Sequence, residues 1–137
     1  VSFVGASRPE AQDPHAPLEL DFALGLAYDL YEQRDVPAPL VPTVRRLAQS
    51  DSIALRYWGA KLLAYAPKGP DFNRILIRLL EDPSPNVRYA AGLSLYQRQG
   101  PESFEHLLPR LINDPNWYVK CVLFSAFLRS GTIPHRM

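Results

Sequence analysis

A single cysteine, Cys121, stands in the 137 residues, so no disulfide can form within the chain and no cysteine-rich zinc module can be built. Histidine is almost as scarce. His15, His106 and His135 are isolated, and two of them lie in the terminal segments, so no metal site is expected. The 7 glycines form neither GxxxxGK nor GxGxxG, and there is no GxSxG elbow. A phosphate-cradling loop and a nucleophilic serine of that kind are therefore excluded, and no cofactor is implied. No apolar run approaches the roughly 18 residues that cross a bilayer, so no membrane role is expected. Neither charge dominates: 15 Lys+Arg face 14 Asp+Glu, a net charge of +1. That balance argues against a dedicated non-specific nucleic-acid binder. The lack of disulfides points to the cytoplasm.

Hydrophobic residues make up 47% of the chain, enough for one packed domain. Proline is abundant, with 14 residues, and serves as punctuation for helices. Residues 1–17 carry three prolines and little periodicity, and read as an extended arm. Residues 18–132 read as the folded domain and residues 133–137 as a short tail.

Within that domain the sequence repeats with a period near 32. Leu55-Arg56-Tyr57, Val87-Arg88-Tyr89 and Val119-Lys120-Cys121 are related by it, as are Arg46, Arg78 and Arg110. Such periods signal stacked supersecondary units. Each unit reads as a short helix, a tight turn and a longer helix. The short helices are expected over 40–48, 72–81 and 104–113, with Pro109 kinking the third. The longer ones are expected over 53–65, 86–98 and 116–129. Ser84 and Asp114, each before a proline, read as N-caps, and Gly69, Gly100 and Gly131 as helix exits. Residues 18–33 add one upstream helix.

Residues 76–91, LIRLLEDPSPNVRYAA, fit the pattern L-x-x-L-L-x-D-P-x-x-x-V-R-x-x-A. This resembles a HEAT repeat of the short, phycobilisome-lyase-like type, and the resemblance extends over about residues 37–132. It implies an all-α fold: a short right-handed α-solenoid of about three helix pairs plus one N-terminal helix, of the armadillo type. It also implies a ladder in which turn Asp and helix Arg pair between units, formed here by Arg56, Asp82, Arg88, Asp114 and Lys120. The third unit departs from the pattern with Lys120 for Arg and Leu123 for Ala. The first lacks the Asp-Pro pair.

Three surface features are candidates for function. The long helices carry Tyr57, Lys61, Tyr89, Leu93 and Tyr96 opposite the core face, continued by Cys121, Ser125 and Leu128 and preceded by Asp29 and Glu32. By the resemblance this is the concave side. These residues either line a protein-binding groove or pack between units. Arg46, Arg78 and Arg110 form either a basic stripe or an ordinary solvated face. The last helix, with Trp117, Phe124 and Leu128, is apolar nearly all round. It requires a cover: a protein partner, a second copy in a homodimer, or the arm or tail. Cys121 reads as a small apolar filler.

The reading is a non-catalytic protein–protein interaction scaffold that uses the tyrosine-rich face. The resemblance leaves alternatives: an accessory domain or subunit of a larger enzyme, bilin lyase-like or hydrolase-appended, or a DNA-binding repair protein.

Overall fold

The computed structural model describes residues 19–20, 22–27 and 35–130. Among them are six α-helices and no strand: α1 (Val41–Ala48), α2 (Ile53–Leu62), α3 (Pro70–Leu79), α4 (Pro85–Gln99), α5 (Phe104–Asn113) and α6 (Trp117–Ser130). Residues 19–20 and 22–27 are also helical. The expected arm and tail lie outside the described residues, as do Asp29, Glu32 and Gly131.

Proline sets half of the α-helix starts among the described residues. It occupies the first or second position of α1, α3 and α4, where a missing N–H costs nothing and the fixed φ suits the helix. Pro109 is the exception. α5 runs through it as one continuous helix, not as two segments. Both Pro109 and Glu105, the carbonyl left without a donor, are exposed, so water can complete that bond. Gly69 and Gly100 precede the next unit with φ of 139° and 62°, values that L side chains rarely adopt.

Two caps differ from expectation. Ser84 sits at the N-cap of α4, but its side chain makes no cap hydrogen bond. α6 starts two residues later than Asp114-Pro115 suggests, and Asn116 caps it, its Oδ1 accepting from the N–H groups of Tyr118 (2.8 Å) and Val119 (3.4 Å). Asp82 and Asp114 instead close the turn itself, each accepting at 2.9 Å from the N–H two residues on.

The helices pair as α1/α2, α3/α4 and α5/α6, and successive layers meet chiefly through α2, α4 and α6. The core runs through all three layers: Val44, Leu47, Leu55, Leu62, Leu76, Val87, Leu95, Leu107, Leu123 and Phe127 are fully buried. Residues 22–27 extend it upstream through Ala23 and Leu26. No single pair could bury such a set alone, so each layer depends on its neighbour. The approach within the first pair is tightest at Gly59, where an added Cβ would run into the Ala48 backbone.

Candidate functional site

The turn and the start of each long helix create a repeated polar joint. Arg56 forks onto Asp82 through Nε (2.8 Å) and Nη2 (3.3 Å), and its Nη1 donates to the carbonyls of Ser50 and Asp51. One period on, Arg88 forks onto Asp114 at 2.9 and 3.0 Å, and its Nη1 donates to the carbonyls of Asp82 and Pro83. Each guanidinium thus ties its own turn to the next one, and its planar fork suits both roles. Lys120 holds the third position. It is half-buried and makes no ion pair among the described residues. These residues join layers, and none lines the groove between α2 and α4.

Beside the joint runs a row of rings. Tyr57 meets Tyr89 edge-to-face at 6.1 Å between centroids, and Tyr89 meets Tyr118 at 5.8 Å. Tyr57 is only 4% exposed, which corrects its place on a binding face: Trp58 packs across its ring and Lys61 lies over it at 5.6 Å. Tyr89 is half-buried between its two neighbours. Tyr96 is half-buried too, its ring 4.7 Å from that of Phe127. For these three tyrosines packing between layers has won over an open groove.

Burial pushes the Tyr57 phenol well above its ordinary value, reinforced by the nearby Tyr89, to whose oxygen the Tyr57 hydroxyl donates. Burial raises Tyr89 as well, although the hydrogen bond it accepts from Tyr57 works the other way. Lys61 is lowered, again by burial. The signs differ in their consequences. The folded state holds the two phenols protonated, so the stability they carry is full below about pH 10 and drains away above it, where the unfolded chain ionises. Lys61 acts oppositely, adding stability as pH climbs toward its ordinary value near 10.5. Denaturant unfolding across the alkaline range should therefore show stability falling above about pH 10, with a shallower fall in Tyr57→Phe. Phenolate absorbance should lag behind free tyrosine until the protein unfolds. Titration of all seven tyrosines in the folded state at the ordinary value would refute the buried row.

The open concavity lies one helix face away. A groove of about 250 Å³ runs between α2 and α4, closed at one side by Ala27. Trp58 and Tyr65 supply aromatic walls, Leu93 and Ala90 an apolar floor, and Lys61, Ser94 and Gln97 the polar groups. Ser94 is anchored, its hydroxyl donating to the Ala60 carbonyl at 2.7 Å. Of the five residues expected on a binding face, Lys61 and Leu93 line this groove, while Tyr57, Tyr89 and Tyr96 do not. Lys61 is exposed and has no carboxylate partner among the described residues.

The three in-phase arginines do not make a free basic row. Arg46 donates to Glu19 at 2.6 Å, and Arg110 turns back to Asp114 at 3.4 Å. Arg78 alone is exposed and without an ion pair among the described residues. At the other end, Trp117, Phe124 and Leu128 are all exposed. Cys121 is exposed with them, which corrects its reading as a buried filler.

Several participants escaped the sequence reading. Trp58, Tyr65 and Gln97 carried a usable signal: 58, 61 and 65 share one face of the helix expected over 53–65, and 93 and 97 are one turn apart. Tyr118 sits one turn before Cys121, so a strict step of 32 passes over it. Arg98 has no charged partner among the described residues, and its bonds run to backbone carbonyls and to Asn73. Among the described residues no group of His, Cys, Asp and Glu is placed to hold a metal ion, and no helix is long and apolar enough to cross a membrane.

A family model for HEAT repeats matches residues 30–126. No curated protein and no solved structure matches the chain.

Proposed function

The chain belongs to the HEAT-repeat family, and on that premise we propose that it is a non-catalytic scaffold that binds a protein partner in the groove between α2 and α4. HEAT repeats generally mediate protein–protein interaction. The observation that carries the reading is Lys61: an exposed side chain that lines the groove with Trp58 and Tyr65, its ammonium 5.6 Å from the Tyr57 ring centroid, with no carboxylate partner among the described residues. Such a site suits an acidic or carboxylate-bearing segment that lays an apolar side chain on Leu93 and Ala90. Because rigid layers hold both helices, binding orders little of the scaffold and its cost is low.

Lys61→Glu should weaken capture of the partner from source lysate by about tenfold or more, since it sets like charges against each other. Arg78→Glu, on the other face of the molecule, should leave it unchanged. Both variants should melt close to the parent, as both side chains are exposed. Equal loss with both variants, or no loss with Lys61→Glu, would remove the groove from the proposal.

A further inference from the structure

On α2 and α4 alike, one face is covered by the layer that follows. On α2 it holds Arg56, which forks onto Asp82, and Ala60, whose carbonyl accepts from Ser94. On α4, 32 residues on, it holds Arg88, which forks onto Asp114, and Gly92, against which Leu123 packs. The same positions on α6 are Lys120 and Phe124. Phe124 is 40% exposed, and Trp117, Cys121 and Leu128 are exposed around it, Trp117 by 71%. Residues 117, 121, 124 and 128 are spaced by four, three and four, the seam along which one helix meets another. The uncovered apolar face is thus continuous with a joint the molecule has already built twice.

We propose that this face of α6 docks a helix pair of a partner protein, one that presents a carboxylate from its inter-helix turn to Lys120 and a glycine or alanine to Phe124. The carboxylate follows from the joint. Arg56 and Arg88 each hold a turn aspartate from the following layer, Lys120 occupies the third such position, and α6 carries no acidic residue of its own. The small residue follows from volume. Gly92 leaves room for Leu123, and a Cβ at that position would lie 2.5 Å from Leu123 Cδ2. On α6 the bulk is already on this side, so the opposite helix must supply the space.

A second copy of the chain does not supply the carboxylate at the joint position. Head-to-tail stacking would present the first layer, but residues 19–20 and 22–27 already pack along it, with Ala23 and Leu26 buried and Glu19 bonded to Arg46. That layer also has Ser50 where the others have Asp82 and Asp114: Ser50 Oγ accepts from the Ser52 N–H in the same turn geometry, but bears no charge. Face-to-face packing of two α6 helices brings Lys120 against a helix with no carboxylate.

The proposal concerns a different surface from the groove and stands or falls apart from it. The probe is the chain itself, continued after Gly131 by a second copy of residues 101–130, in which the copied Leu123 is alanine, the copied Cys121 is serine and the copied Asp114 is kept. Tethering makes docking intramolecular, so a modest contact is populated. Cys121, in the middle of the face, reports coverage. Its reaction with a thiol reagent should slow by about tenfold or more. Restoring leucine in the copy, or changing the copied Asp114 to Asn, should return much of the reactivity. Equal protection in all three probes, or protection in none, would overturn the proposed chemistry. Sedimentation of the chain alone should show a monomer with Cys121 reactive. A dimer dissolved by Phe124→Glu would overturn the proposal in favour of self-association.

Discussion

Asp114→Ala should destabilise the protein by about 3–5 kcal/mol, the cost of leaving a buried guanidinium without its counter-charge. The side chain of Asp114 is 0% exposed and that of Arg88 8%, so little water is available to replace the lost partner. The same substitution removes the acceptor for the Asn116 N–H and loosens the turn that launches α6. For a chain of this size the melting temperature should fall by roughly 10–20 °C. A double-mutant cycle isolates the pair. Arg88→Met with Asp114→Leu should cost clearly less than the sum of the single changes, because the double variant buries no orphan charge. Arg46→Met is the contrast. Its partner Glu19 is as close, but the Arg46 side chain is 60% exposed, and its loss should cost at most about 1 kcal/mol. If Asp114→Ala melts within a degree or two of the parent, the joint between the second and third layers is not held by this pair.

The repeat was legible because the joint is written in side chains. Arg56, Arg88, Asp82 and Asp114 recur at one spacing, and the aliphatic residues around them keep the same phase, so helix pairs and layer order could be read off directly. The aromatic residues were harder. Tyr57 belongs to the buried core and Tyr89 packs against it, whereas helical phase alone puts both opposite the aliphatic face. Phase does not say that each ring would lie on the next and bury it, which depends on the distance between layers. The groove moved by one face for the same reason: with the tyrosines taken up between layers, Trp58 and Tyr65 were left to form its walls. Trp58 has Ala90 and Val122 at the equivalent positions, so a search for repeated features passes over it. The Asn116 cap was hidden by Asp114-Pro115, an equally good start on sequence grounds. The aspartate was already committed to Arg88, and Asn116 took over the helix.

Arg98 was the least legible residue, and its removal should have the second largest effect. Its Nη1 donates to the carbonyls of Leu63 (3.0 Å) and Ala66 (2.8 Å), its Nη2 to that of Pro67 (2.8 Å), and its Nε to Asn73 Oδ1 (2.6 Å). Backbone acceptors leave no trace in a sequence, and the equivalent positions, Ala66 and Ser130, cannot do the same. These carbonyls belong to the segment that ends the first layer, and a helix end needs donors for them. Burial lowers the Arg98 guanidinium from its ordinary value, yet the group stays charged at any physiological pH and keeps all its donors. Arg98→Met should therefore cost on the order of 3 kcal/mol, a few charge-assisted bonds with their acceptors left short of partners. Arg98→Lys should recover only part, because an ammonium cannot reach three carbonyls and an amide in one plane. The loss should also be local. Residues 63–69 carry Tyr65, one wall of the groove, so amide exchange there should quicken well before that of α5 and α6. Partner capture should weaken along with it, although Arg98 does not line the groove. Uniformly faster exchange across all three layers would mean that Arg98 supports the stack as a whole and not the wall of the binding site.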